Sequence, residues 1–441
     1  MIVGHFSHAV RRHLAMMKLR ARVLLGAASA FCRLPPGRLG PQDWTVDADQ
    51  LFFVKKAETL GPIFKLMCRG NYTTCIVGHQ RARELLQAHE DRLPGGTIEL
   101  RGLFSKGALR AMSGVDHQKY KQLFIRALQA TPLASHEAEI RKSIVEKLSA
   151  LAKSPSYGFV SGPDLRSCLR EITSGIMLRL LFGLNEDDDD FAELLRFYRQ
   201  FGPEAPVYSI GPDQAAAYAE IECRVRRLAD DIRRNSSEHL PSFLRLMVER
   251  GELDETAIGN LIYMFEPAHF DMYSLWRWVL KHLASNTDIM DRVQKALNRQ
   301  ECGQLCEAIV LETLRLEQSE LLYRAVRSDI TYESYFIPKG TILRVCLWEG
   351  HKDPSVFPDP FRFDPDRFIG RSYRIDEYAP FGLDKRRCIA ANLVVALTSI
   401  FIEILLKRFV FTVTRDGPPK YGAYHWEPNP EFSISIACAI K

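Results

Sequence analysis

Apolar positions recur at helical spacing over His136–Leu151, Asp164–Leu181, Asp213–Arg234 and Asp254–Ser285, which predicts four long helices, each with a face to bury. The apolar run Leu393–Leu406 predicts another. Short β-rich pieces stand around Ile63–Leu66 and Tyr72–Val77. The pattern is that of a mainly α protein with a minor β-sheet region. Leu34-Pro35-Pro36-Gly37 denies the chain helical continuation and marks where the folded body begins. Residues 1–33 are thereby set off as a basic and apolar N-terminal segment, and 34–441 as a single large domain. Gly202-Pro203 to Gly211-Pro212 reads as an exposed, mobile connection between two helices. The acidic run Asp187–Asp190 sits where a helix starts, and carboxylates there favour its positive end.

In the N-terminal segment Arg11, Arg12, Lys18, Arg20 and Arg22 precede the apolar stretch Val23–Cys32. Ten such residues cannot cross a bilayer, which takes about 20. A packed terminal helix is the expectation, with a cleaved signal or a helix lying on a membrane surface as alternatives.

Composition narrows the classes. Of 441 residues, 46% are hydrophobic and 26% charged, which excludes a disordered, collagen-like or many-span membrane chain. Lys and Arg total 59 against 54 Asp and Glu, a net charge of +5 that is too small to argue for a nucleic-acid binder. Ten scattered cysteines contain no CxxC pair, which disfavours a disulfide framework or a structural zinc site and makes a reducing cytoplasm the default.

The informative stretch is Pro380–Asn392, where Cys388 ends a cationic turn (Lys385, Arg386, Arg387) and precedes an apolar helix. Positive side chains and a helix N-terminus both stabilise a thiolate and ready it to bind a metal. Alone, such a cysteine is usually a small buried hydrophobe. Upstream, Glu312-Thr313-Leu314-Arg315 places an acid and a base three apart on one helix face; alone, that is usually a surface ion pair. Between them the proline-stiffened Phe357–Phe368 presents Arg367.

Taken in order, the Glu-Arg pair, the Pro-Arg-Phe segment and the cysteine resemble the cytochrome P-450 superfamily of haem-thiolate enzymes, from about Leu34 onward. In the family's Phe-Gly-x-Gly-x-Arg-x-Cys-x-Gly loop, Phe381, Gly382, Arg386 and Cys388 fall in register. The resemblance implies haem, iron protoporphyrin IX, with Cys388 as its axial metal ligand and a thiolate that pushes electron density onto iron. It implies further that Glu312, Arg315 and Arg367 form a buried structural cluster. His117 and Lys121, one helical turn apart, together with Arg324 and Arg386, then look like partners for the haem carboxylates. Lys121 departs from the family's usual Arg there.

Other departures are as informative. Asp384 and Ala390 replace two loop glycines; Asp tolerates left-handed backbone and Ala adds one methyl. The family's oxygen-activating helix carries Ala/Gly-Gly-x-Asp/Glu-Thr, whereas Met264–Ser274 here lacks the acid and alcohol pair. Aligning Trp278 puts Asp271 at the alcohol position, and aligning Ala268 puts it at the acid. In both registers Asp271 is the leading proton carrier, followed by His269 and Glu266, although His269 on a helix could equally face away from the pocket. Pro267 removes an amide donor and clashes with the Tyr263 carbonyl, where the family distorts its helix. Met264, Phe265, Ala268 and Phe270 are expected pocket wall.

The resemblance implies a monooxygenase that places one oxygen atom from O2 into a lipophilic small molecule, a terpenoid, steroid or fatty acyl compound at family level. Alternatives are a haem-thiolate isomerase, dehydratase or peroxide-dependent enzyme, or a non-catalytic haem or ligand binder. No dinucleotide fingerprint or iron-sulfur spacing is present, so electrons are expected from a separate ferredoxin-like or flavoprotein donor, with Lys385 and Arg387 as docking charges. A cytoplasmic monomer is expected, with at most peripheral membrane contact.

Overall fold

The computed structural model describes residues 17–28, 32–38, 44–68, 70–95, 103, 106–153, 160–202, 210–299, 302–317, 322–422 and 425–439. In chain order these form α1 (17–28), α2 (Phe52–Leu60), β1 (Ile63–Cys68), β2 (Asn71–Val77), α3 (His79–Ala88), α4 (Gly114–Gln129), α5 (Glu137–Lys153), α6 (Gly162–Phe182) and α7 (Asp189–Phe201). Then follow α8 (Pro212–Arg234), α9 (Phe243–Glu249), α10 (Glu255–Ser285), α11 (Thr287–Asn298) and α12 (Gly303–Leu316). The rest comprises β3 (Leu322–Ala325), β4 (Ile330–Tyr332), β5 (Tyr335–Ile337), β6 (Ile342–Cys346), α13 (Leu347–Gly350), α14 (Ala391–Arg408), β7 (Phe409–Arg415), β8 (Lys420–Tyr421), β9 (Trp426–Glu427) and β10 (Ser433–Cys438). The chain is mainly helical with a small β component, as its periodicity predicts.

The chain divides into two compact units. The first takes 1–97, 321–358 and 374–379 and holds a sheet of order β1-β2-β6-β3. In it β2 and β6 run parallel and the other pairs antiparallel. Residues 34–37 dock along β1, where the Lys65 amide donates to the Pro36 carbonyl at 2.8 Å and its ammonium to the Pro35 carbonyl. In α1, Val23 is buried with Met67 and Tyr72, while Leu24 and Leu25 are exposed. Among the described residues no helix is long and apolar enough to cross a membrane.

The second unit takes 98–320, 359–373 and 380–441 and is the helical one. Its helix ends follow local chemistry. The Ser161 hydroxyl caps α6 by accepting from the Asp164 amide, and Gly183 ends that helix in the left-handed conformation at φ 76°. Asp254 accepts from the Ala257 amide at 2.8 Å to start α10, and also from the Tyr120 hydroxyl at 2.7 Å, tying α4 to it. The acidic run does lie at the start of α7, but Asp188 accepts from the Asn185 amide and Asp190 pairs with Arg224 at 3.2 Å instead of capping by hydrogen bond. α10 is buried on nearly all sides, as only a helix through the middle of a core can be. Trp276 stacks on Phe401 of α14 at 4.2 Å, with its indole N–H donating to Thr398. Of the connection read from Gly202 to Pro212, residues 203–209 lie outside the described set.

Candidate active site

Glu312, on α12, is wholly buried and accepts two bonds from Arg315, at 2.7 and 2.8 Å, the bidentate geometry that planar guanidinium favours. It also accepts from the Asp364 amide at 2.9 Å, and Arg367 Nε stands 3.4 Å away. Arg315 donates onward to the carbonyls of Pro360 and Arg362, and Arg367 to that of Asp359 at 3.0 Å. One helix turn thus grips the whole segment 359–367 by its backbone.

The loop carrying Cys388 is fastened in the same manner. The Cys388 amide donates to the Phe381 carbonyl at 2.9 Å, closing the turn. Arg386 reaches the carbonyls of Arg110 at 2.9 Å and Met112 at 2.6 Å. From α4, Lys121 donates to the carbonyls of Lys385 and Arg387. Burial lowers the Lys121 pKa, opposed by the nearby Cys388 sulfur and assisted by Arg386 and Arg387. Gly382 has φ 90° and Asp384 φ 51°, so the residue that replaces a glycine does occupy the left-handed region. His117 is buried on the first turn of α4, one turn before Lys121. Arg324 lies in the first unit on β3, opposite Leu343, and donates to the Tyr323 carbonyl at 2.9 Å.

Along α10 the burial breaks in one stripe. Met264, Pro267 and Ala268 are half-buried and Asp271 is exposed, whereas Phe265, Glu266, His269 and Phe270 are buried. Spacings of three and four put the open residues on one face. Met264 and Ala268 pack at the edge of the same core as Phe381, Ile389, Leu393 and Val394 of the cysteine loop and α14, all of them only partly buried. Phe381, Ile389 and Leu393, left half open on the loop and helix that flank an exposed thiol, suit a large flat hydrophobic cofactor held through sulfur.

The three titratable residues of this helix segment separate. Asp271, on the open stripe, stands 3.6 Å from Nε2 of His425, a buried residue beside β9. Burial alone would lower the His425 pKa, but the bond and charge of Asp271, with Glu427, outweigh it and hold it above the ordinary value. Nothing local in the sequence marks His425; the pairing exists only because the β8–β9 turn meets α10. Glu266 and His269 face the other way. Burial drives the Glu266 carboxyl well up, with Arg170 opposing, and drives His269 down to about 3.

The geometry defines a helical protein with an anchored, thiol-bearing loop, and comparison with known proteins shows what it resembles. The family model described as Cytochrome P-450 matches residues 272–425, beginning immediately after Asp271. Ent-kaurenoic acid oxidase 1 of Arabidopsis thaliana is 24% identical over 443 residues, covering 87% of this chain and 86% of that protein. Abscisic acid 8'-hydroxylase 1 of the same plant is 24% identical over 440 residues, covering 92% and 91%. The solved structure of retinoic acid bound cyanobacterial CYP120A1 shares the fold, with a TM-score of 0.74 over 92% of this chain and 100% of that one at 19% identity. The cytochrome P-450 family model thus covers the part of the chain that carries the Glu312 cluster and the Cys388 loop, and the fold is shared with that solved structure.

Proposed function

We propose that Cys388 is the axial thiolate of the haem, and that the chain uses it to place one oxygen atom from O2 into a lipophilic small molecule, with electrons from a separate ferredoxin-like or flavoprotein donor. The observation that carries this reading is the Cys388 loop, held by its own backbone, by Arg386 and by Lys121. Haem, when bound, supplies the oxidising chemistry. The protein's part is to keep the sulfur in place, and the Glu312–Arg315–Arg367 cluster does so one step back by fixing the segment that leads to it. Within the second unit His117, Lys121 and Arg386 are our candidates for meeting the haem carboxylates, and Phe381 for packing beside the sulfur; for Arg324, in the first unit, the proposal rests on the sequence resemblance alone.

Proton handling falls to Asp271 in this reading. It is the carboxylate on the open stripe, whereas His269 and Glu266 are turned into the protein. Asp271 can pass a proton from an Oδ atom and take another from His425 at 3.6 Å. The names of the relatives and neighbour above point to ent-kaurenoic, abscisic and retinoic acids, so a lipophilic carboxylic acid is the substrate class we infer. One observation favours a second reading: Asp271 is followed by Met272, with no alcohol beside it, which would suit a peroxide-dependent or isomerising haem-thiolate enzyme.

The reduced protein under carbon monoxide should give the thiolate-type Soret band, and Cys388→Ala should abolish it; a band that survives removes Cys388 as ligand. Turnover of a lipophilic acid with surrogate ferredoxin, its reductase and O2 then separates the oxygenase from a protein that works with peroxide alone.

A further inference from the structure

Six residues after Asp271, α10 carries a charge in the protein interior. Arg277 is buried, with Glu427, Tyr273 and Arg166 as its charged or titratable neighbours. Taking a guanidinium out of water is costly unless its hydrogens are matched, and an apolar side chain would fill the same space at less cost. The Glu427 carboxylate stands at 3.4 Å, a long contact. The shorter bonds go to backbone: Nη2 donates to the Pro428 carbonyl at 3.1 Å and to the Asn429 carbonyl at 2.9 Å. What the buried charge holds is therefore the chain that leaves β9.

The same helix holds that hairpin at two more points. The Trp278 indole N–H donates to the Trp426 carbonyl at 3.3 Å, and Lys281 donates to Asp416 at 2.6 Å and to the Gly417 carbonyl at 3.3 Å. Within the hairpin Tyr421 pairs with Trp426, and the Gly422 amide donates to the His425 carbonyl at 2.8 Å. The backbone on either side of the imidazole is thus fastened to the helix that carries Asp271. The ring itself is oriented by two acceptors. Its Nδ1 lies 3.2 Å from the Trp426 carbonyl, which can only accept, and its Nε2 faces the Asp271 carboxylate at 3.6 Å. A bare lone pair on Nε2 would repel that carboxylate, so the arrangement suits the imidazolium, with a hydrogen on each nitrogen. Asp271 of α10 and Glu427 of β9 are the acids that face it.

We propose that Arg277 is the positioning residue of the Asp271–His425 pair: its guanidinium, with the Trp278 indole, holds the backbone of 426–429 where His425 meets Asp271. The inference rests on the reading that Asp271 handles protons, and adds what keeps its imidazole partner within reach. Reach decides here, because the pair stands at 3.6 Å, and a hairpin displaced by about 1 Å would open it to water.

The test reads His425 itself, by NMR titration of the histidine ring signals in the full chain, haem-loaded and kept ferrous under carbon monoxide. The His425 signal is the one lost in His425→Gln. Asp271→Asn sets a floor, since burial then lowers the titration midpoint with less to oppose it. Arg277→Gln should lower the midpoint by at least about half of the interval between parent and floor. The sign is diagnostic, because losing a positive charge, and with it the partner of Glu427, would by field alone raise the midpoint of an imidazole. Trp278→Phe removes the indole donor without changing any charge, and should lower the midpoint by less. In the Asp271→Asn background Arg277→Gln should bring no further fall. A midpoint that stays or rises in Arg277→Gln and Trp278→Phe overturns the proposal, as does a further fall once the Asp271 charge is gone; should Arg277→Gln fail to fold, Trp278→Phe decides alone. Failure of the proton reading shows separately, as unchanged oxygen-dependent turnover in Asp271→Asn.

Discussion

Asp271 and His425 show how a single contact changes a reading. From the sequence Asp271 is one of three acid or base candidates on a helix; in the structure it is the one on the open stripe, and it has an imidazole partner. The folded His425 pKa is raised by that partner. A group with a raised folded pKa stabilises the native state fully below its unfolded value of about 6.5 and loses that contribution as pH rises through the folded value. Asp271→Asn should therefore lower stability most on the acid side of neutrality, with the difference from the parent closing in alkali. Chemical unfolding of both proteins at several pH values checks this, and a gap that does not vary with pH would dissolve the pair. In oxygen-dependent turnover the same variant should be slower while keeping its haem. Asp384 is the opposite case: the resemblance puts it in a glycine's place, where Asp tolerates left-handed backbone, and it has a positive φ of 51°.

At the scale of elements, the helices were the legible part. The apolar periods over His136–Leu151 and Asp213–Arg234 correspond to α5 (Glu137–Lys153) and α8 (Pro212–Arg234), because each helix carries its own caps and its own buried stripe. Strands were legible only where two lie side by side in the chain, as β1 and β2 do. Of the remaining strands, β3 and β6 exist through distant partners, β6 with β2 across Thr73–Ile342 for example, and β4, β5, β8 and β9 are only two or three residues long, so no local period announces them. The Glu312 cluster stands between these cases, its members visible in sequence and its grip on backbone carbonyls visible only when folded. Glu312→Gln leaves two buried guanidiniums without their charge partner and should cost roughly 3 to 5 kcal/mol. It should show as a lowered melting temperature and poor haem retention, while a variant as stable as the parent would demote the cluster to ornament.

For the whole molecule, the two units carry different burdens. The first is built on a small sheet, and the second holds the loop, the cluster and α10. A cofactor that binds only the native chain raises its stability by mass action. Haem depletion should therefore lower the melting temperature, reloading should restore it, and Cys388→Ala should remove most of the difference; identical melting with and without haem would argue against a cofactor seated in the core. By itself the sequence determined the helical class and the order of the Glu-Arg, Pro-Arg-Phe and cysteine motifs, and hence the family resemblance, because these depend on residue type and on spacing within a turn or a loop. Tertiary structure alone decided which of Glu266, His269 and Asp271 stands on the open stripe, and that His425 meets Asp271. Those are matters of which distant segments pack together and which way a side chain points, and packing is a property of the folded chain as a whole.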